Sequence, residues 1–382
     1  MIKSLSAPDI RDRNYRIVFN LARRQGELLR PDISKQTGMT PPTVLKMVQA
    51  FVAKGLLVEA GEADTSLGRK PMRLRFNPQA AMAVGILFEG GEMHAALSDL
   101  SGNLTGNIRI PMEHSFNDAT VPVIINTITR LLDGVQAPIL GVGLGVPGVV
   151  DGETNVIRFA PLIGISSPMD CSGIIKAITA RTGLPVRMEN DVNAAAAGEF
   201  VCRKLNEDED LLYIAVGTGI GAGIIINGKL RRGSRNLAGE LGYAVQNSSY
   251  VVDYARQGWL EGQIGMDALR RRFQWRGYVQ GDADLPEGLI DYLVGHLAPV
   301  VANLATQLDI GLVVLGGLAL DSLGDPLYQA LAQKISQLSL EPGICERSVS
   351  SDPGVVGAAM QIIEIQLDTW LTDQRDRYAT TL

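Results

Sequence analysis

Cysteine and histidine are scarce, three of each in 382 residues. Cys171, Cys202 and Cys345 lie far apart and form no CxxC pair, so neither a disulfide framework nor a cysteine-based zinc site has sequence support. His94, His114 and His296 are equally scattered, and each reads as an ordinary surface or core residue. Aromatic side chains make up only 5% of the chain. The run IGLVVLGGLAL is too short and glycine-broken to cross a bilayer, and MIKSLSAPDIRDRNYR offers no signal-peptide stretch. A cytoplasmic protein without a membrane partner is expected. What is plentiful is apolar content, 46%, and glycine, 42 residues, which predicts a sizeable core and many tight strand-to-helix turns. The length predicts two or three folded units.

Charge is divided unevenly. Residues 1–78 hold 14 Lys or Arg against 7 Asp or Glu, a net of +7, and the other 304 residues hold 21 against 34, a net of −13. A basic head on an acidic body points to a polyanion partner for the head. In NYRIVFNLARRQG, Ile17, Val18, Leu21 and Ala22 recur at a helical period. In PDISKQTGMTPPTVLKMVQAFVAKGLL two helices flank Gly38 and Met39, with Thr40 as N-cap and Pro41 in the first turn of the second. Val44, Leu45, Val48, Phe51 and Val52 form its expected buried stripe. Thr43, Lys46 and Gln49 face outward. LLVEAGEADTSLGRKPMRLRFNP then reads as two strands around a tip carrying Arg69 and Lys70, with Arg73 and Arg75 beyond. The whole is a winged helix-turn-helix over residues 1–78, with Thr40, Thr43, Lys46, Gln49, Arg69 and Lys70 as candidates for double-stranded DNA. A helical dimerisation domain with a solvated basic face is the plainer alternative.

The acidic body, 79–382, runs MAVGILFEGG, EMHAALSDL and SGNLTGNIRI as a strand meander, then a helix over about 121–132 and the strand ILGVGLGVPG. LLYIAVGTGIGAGIIINGKLRRG repeats the meander, and GLVVLGG supplies a later strand. Two such copies predict a duplicated α/β body, with lobes of about 79–190 and 191–382 and the last helix returning to the first lobe. Ligands in such folds bind beyond the strand ends. In ENDVNAAAAGE, Asp191 stands where a strand meets a helix. It reads as a general base, a ligand contact or a helix cap. NEDED at 206–210 reads as a solvated loop or a partner surface.

Several motifs in order, SLGRKPMRLRFNP, GVGLGVPGVVDG, ENDVNAAAAGE, VGTGIGAGIIINGKLRRG, AGELGY and VVLGG, resemble the ROK group of repressors, open reading frames and sugar kinases. With its basic head the chain is similar to the group's transcriptional repressors, of the N-acetylglucosamine and xylose type. The resemblance implies an actin-like ATPase (ribonuclease H-like) fold, a sugar in the interlobe cleft, and a homodimer or higher homo-oligomer. It implies hydroxyl contacts from Asn190, Asp191, Glu240 and Glu261, a cleft floor shaped by Gly145, Pro147 and Gly148, and Tyr243 where relatives have a sugar-touching His. Against each carboxylate stands a solvated or capping role.

Three departures matter. The group's kinases carry an Asp and a Gly-Gly-Thr turn in the first strand pair, and here Leu87 and Glu89-Gly90-Gly91 take those places. A carboxylate beside a triphosphate repels it, so Asp191 becomes a vestigial base with little to catalyse. The zinc-binding His and three Cys after GE-x-G are missing, so no metal and no cofactor is expected. The Asn of a sugar-contacting loop is also missing from APLIGISSPMD, with Leu162 or Ile163 near its place. The expected function is a sugar-responsive transcriptional regulator, a repressor, taking operator DNA and a sugar or sugar phosphate without phosphorylating it. An active sugar kinase with an accessory head, and capture by a regulatory protein, are the alternatives.

Overall fold

The computed structural model describes residues 7–62, 72–112, 116–253, 257–275, 285–341 and 343–372. The head begins with helix α1 (Ala7–Gln25), the short strand β1 (Glu27–Leu29), α2 (Arg30–Thr37) and α3 (Pro41–Ala53), followed by β2 (Leu57–Glu62) and β3 (Met72–Phe76). Gly38 ends α2 at φ 69°, its N–H on the Ser34 carbonyl, a left-handed cap that favours glycine. Thr40 holds the N-cap position of α3, but its hydroxyl pairs with the Thr43 hydroxyl at 2.9 Å instead of a backbone N–H. The buried stripe of α3 is Val44, Met47, Val48 and Phe51. Leu45 and Val52 are 41% and 36% exposed, contrary to the sequence expectation. The i, i+3, i+4, i+7 spacing from Val44 admits Met47 and turns Leu45 and Val52 to the adjoining face. β3 lies central in a three-stranded antiparallel sheet between β1 and β2. β1 escaped notice because three residues cannot show a period. Arg69 and Lys70, at the expected tip, lie outside the described residues.

The first lobe continues with β4 (Met82–Glu89), β5 (Glu92–Asp99), β6 (Leu104–Pro111), α4 (Val121–Leu132) and β7 (Ile139–Val146). A small hairpin sheet of β8 (Val150–Asp151), β9 (Val156–Ile157) and β10 (Met169–Asp170) precedes α5 (Ser172–Thr182) and β11 (Val186–Asn190). The second lobe comprises α6 (Asp191–Cys202), β12 (Leu211–Val216), β13 (Ile220–Ile226), β14 (Lys229–Leu230), α7 (Trp259–Ile264), α8 (Met266–Phe273), α9 (Leu289–Leu308), β15 (Leu312–Gly316), α10 (Leu318–Leu338) and β16 (Ile344–Arg347), and α11 (Pro353–Thr372) ends the described chain. The large sheets run β6-β5-β4-β7-β11 and β14-β13-β12-β15-β16. In both, an antiparallel meander is extended from its first strand by two parallel strands. The same order twice is what a duplicated unit produces.

α9 is long and apolar enough to cross a membrane, yet Leu289, Leu293, Leu297 and Val301 are buried in the second lobe's core. α6 and α11 pack backbone to backbone. A Cβ on Gly357 would stand 1.7 Å from the Ala194 carbonyl oxygen, and one on Gly198 would stand 1.9 Å from that of Pro353. α11 also lies flat on the first lobe's sheet, where a Cβ on Gly85 or Gly143 would meet Val355 or Ala358 carbonyl oxygens at 2.1 and 1.8 Å. These glycines serve close approach within helices and strands, not the turns that composition alone suggests.

The far end of α11 seats the head. Ile363, Leu367 and Trp370 share one buried cluster with Tyr15, Val18, Phe19 and Phe51. Arg16 pairs with Asp368 at 2.5 Å, Arg24 donates to the Asn206 side chain at 2.8 Å, and Asn20 donates to Glu207 at 2.6 Å. Part of the NEDED segment is therefore a docking contact for α1. Some of the head's positive charge faces the body for the same reason.

Gly357→Ala is expected to lower the urea midpoint by an amount equivalent to about 2 kcal/mol, as overpacking does. Gly295→Ala, on α9 with nothing within 4 Å of the added Cβ, is expected to be neutral or to stabilise by about 0.5–1 kcal/mol. Equal midpoints for the two variants would contradict the backbone-contact account.

Candidate functional site

The lobes enclose a cavity of about 400 Å³, within the size range of small-molecule sites. One wall comes from the first lobe: Glu89, Gly90 and Gly91 in the β4–β5 turn, Pro147 and Gly148 after β7, and Phe159 to Ile163. The facing wall comes from Gly217 to Ala222 in the β12–β13 turn, from Glu240 and Tyr243, and from Glu261, Met266 and Arg270. Asn190, Asp191 and Val192 close the floor where β11 becomes α6.

Asn190 is the N-cap of α6, its Oδ1 accepting from the Asn193 N–H at 2.8 Å. Its amide donates to the Gly148 carbonyl at 3.0 Å and to Asp191 Oδ1 at 2.8 Å. Capping thus falls to Asn190, and Asn190 positions its neighbours. Asp191 stands one residue inside the helix, with Oδ1 also accepting from the Val192 N–H at 2.9 Å, and is part of the cavity wall. Glu261 accepts from the Ile220 N–H at 3.1 Å. Burial, then repulsion from Glu89 and Glu240, pushes Asp191 up to about 8. Burial and the charge of Glu261 push Glu240 up to about 7, and burial pushes Glu261 up to about 7. Such carboxyls trade hydrogen bonds readily with a polyol, whose hydroxyls both donate and accept. Among the described residues, no group of three or more His, Cys, Asp or Glu could hold a metal ion.

The structure therefore brings Pro147, Gly148, Asn190, Asp191, Glu240, Tyr243 and Glu261 to one cavity. It leaves Gly145 out. Gly145 is buried in β7, where an added Cβ would meet Leu87 Cδ1 at 2.7 Å. Leu87, 5% exposed, packs against Gly354 of α11 and is a core residue. Glu89, by contrast, reaches between the two glycine turns: its Oε1 is 3.8 Å from where a Cβ of Gly217 would stand. In GTGIGAG, Gly221 and Gly223 sit tight on α6, with added Cβ atoms 2.9 and 2.2 Å from Val192 and Ala196 side-chain carbons.

A family model described as the ROK family matches residues 83–364. The chain belongs to the ROK family. It is 28% identical over 233 residues to the xylose repressor of Bacillus subtilis, a match covering 60% of this chain and 59% of that one. The match thus spans about three-fifths of the length of that curated relative. A ROK-family transcriptional regulator described as a homologue of the E. coli MLC protein covers 95% of this chain and 98% of its own, with TM-score 0.74 at 19% identity, a likeness of fold. A ROK hexokinase from Thermus thermophilus covers 73% of this chain and 97% of its own, with TM-score 0.58 at 26% identity. The likeness to the regulator takes in the head, whereas the hexokinase's own length is accounted for by about three-quarters of this ROK chain.

Sequence reasoning missed the apolar wall of the cleft, Phe88, Met112, Phe116, Phe159 and Met266, and also Arg270. Phe159 stacks edge-on to Tyr243 at 5.9 Å. None carries a motif, and only the fold gathers them. Leu162 and Ile163 do line the cavity, so this part of the wall is apolar.

The raised carboxyls fix a pH dependence. A carboxyl whose folded pKa exceeds its unfolded value stabilises fully below the unfolded pKa, and that stability is lost as pH rises through the folded pKa. Asp191→Asn is therefore expected to raise the urea midpoint of the ligand-free protein over wild type, by a margin that grows from about pH 4 to about pH 8 and then levels. A margin independent of pH would remove Asp191 as its source.

Proposed function

We propose that this ROK protein is a sugar-responsive transcriptional regulator, a repressor, whose head is a winged helix-turn-helix and whose body senses a sugar or sugar derivative without phosphorylating it. Glu89 carries the reading. Its carboxylate stands beside Gly217, between the two glycine turns, where a nucleotide's phosphates would need positive or neutral surroundings. The sugar end of the cleft keeps Asp191, Glu240 and Glu261, acceptors enough to replace water around several hydroxyls. On the head, Lys46 and Gln49 are exposed on α3 and Thr43 is partly so, the exposure a major-groove helix needs. A homodimer would present two such helices to an operator with two-fold symmetry. Ligand acts by binding the DNA-competent and DNA-incompetent arrangements with different affinity. Capture by a regulatory protein would act on the same equilibrium.

The test is selection of genomic fragments on the full chain, followed by gel shifts across a panel of sugars and sugar phosphates. At least one fragment is expected to bind, and one sugar to change its affinity. Asp191→Asn is expected to raise the sugar concentration required about tenfold, and Lys46→Ala to weaken all fragments alike and lower the salt slope by about one. Absence of any enriched fragment would end the DNA reading, and indifference to every sugar would end the sensor reading. A second reading, a sugar kinase with an accessory head, is favoured by the retained Asp191. A coupled ATP assay showing turnover that Asp191→Asn abolishes would establish it.

A further inference from the structure

A second cavity, about 370 Å³, lies in the seam between head and body, walled by α1, α6, α11 and the β13–β14 hairpin. It is nearly as large as the interlobe cleft and its charge is opposite in sign. Arg23 and Arg24 enter from the head and Lys229 and Arg232 from the body, against Glu207 and Glu364. The body's own lining is balanced, Lys229 and Arg232 against Glu207 and Glu364, so the excess comes from Arg23 and Arg24 of the head.

Its donors outnumber its acceptors. Gln361 is only 9% exposed, and its Nε2 is buried with no hydrogen-bond partner. A buried amide left in that state is costly, and its retention calls for an explanation. Arg23 Nη1 has the Met360 sulfur at 3.6 Å as an acceptor, a weak one for a guanidinium. Burial holds the Arg23 pKa below its ordinary value, with Arg24 adding like-charge repulsion while Glu364 opposes both. Lys229 is exposed at the rim. Arg24 and Arg232 are engaged, with the Asn206 side chain and with Glu189 at 2.6 Å respectively.

We propose that this seam cavity is a binding site for a small phosphate-bearing metabolite, gripped by Arg23, Lys229 and the Gln361 amide. A phosphate supplies several strong acceptors to a guanidinium, an ammonium and an amide at once. Bound there, it bridges α1 of the head and β14 of the second lobe. It also adjoins Arg232, whose partner Glu189 accepts from the Asn190 N–H at 3.0 Å at the floor of the other cleft. The seam is thus a second effector position, separate from the sugar cleft.

Calorimetric titration of the full chain with inorganic phosphate, against acetate at equal ionic strength, tests this without DNA, so failure of the DNA reading leaves it standing. One saturable phosphate site per chain is expected. Lys229→Gln and Gln361→Leu should each weaken it about tenfold, while Lys46→Ala, on the exposed face of the head, should not. Lys229 is exposed, so its variant serves if Gln361→Leu fails to fold, as judged by circular dichroism. No saturable heat at millimolar phosphate, equal binding of acetate, wild-type affinity in Lys229→Gln, or an equal loss in Lys46→Ala would each overturn the proposal.

Discussion

Everything in this molecule is referred to one contact, the backbone-to-backbone packing of α6 on α11. At Gly198 and Gly357 a methyl group would lie within 2 Å of a carbonyl oxygen, so neither helix can be moved outward without losing the pair. α11 fixes the first lobe through Gly85 and Gly143, and α6 fixes the second through Gly221 and Gly223. Close-packed interiors of this kind do not deform continuously; they shift as units. The two lobes and the head are therefore elements placed against one shared pair of helices.

The cleft works against that rigidity. Asp191, Glu240 and Glu261 line a partly apolar cavity, with Glu89 acting on Asp191, and each is pushed toward its protonated form. An empty cleft of this sort destabilises the folded chain as pH rises, because burial penalises the charged form. A ligand with several hydroxyls would supply hydrogen bonds to these carboxyls. On the proposed function, binding of such a ligand would be linked to the protonation of these carboxyls.

The fold was largely legible in the chain because its signals are local. Alternating apolar strands and glycine turns gave both meanders, and the i, i+3, i+4 spacing gave the α3 stripe, apart from the exchange of Met47 for Leu45 and Val52. The polar part of the cleft was legible for a different reason: the resemblance to the ROK group rests on ENDVNAAAAGE and AGELGY, and it pointed to Asn190, Asp191, Glu240 and Glu261, which the fold brings to one cavity. Its apolar wall was not, since Phe88, Phe116, Phe159 and Met266 are brought together only by topology. The glycines misled in an informative way. Composition cannot distinguish a glycine needed for a turn from one needed because a neighbouring backbone occupies the space of its Cβ. Nor can a charge count tell that Arg16 and Arg24 serve the head's own attachment.

The same helix pair gives the cleft a mechanical route to the head. α6 begins at Asn190 and Asp191 on the cavity floor, and near its other end Val201 belongs to the buried cluster that holds Phe19 and Trp370. A helix of 12 residues is about 18 Å long, so one element touches both the interlobe cavity and the head's seat. Rotation of α6 against β11 would reorient Asp191 and displace Val201 together. The α11 contact prevents α6 from absorbing that motion alone, because Gly198 has no clearance. Such a displacement would bear on α11, and through it on Leu367 and Trp370, which share a buried cluster with α1. Glu189 adds an electrostatic tie, holding Arg232 while accepting from Asn190. On the proposed function, coupling between the interlobe cavity and the head would need no long chain of side chains, only two helices packed backbone to backbone.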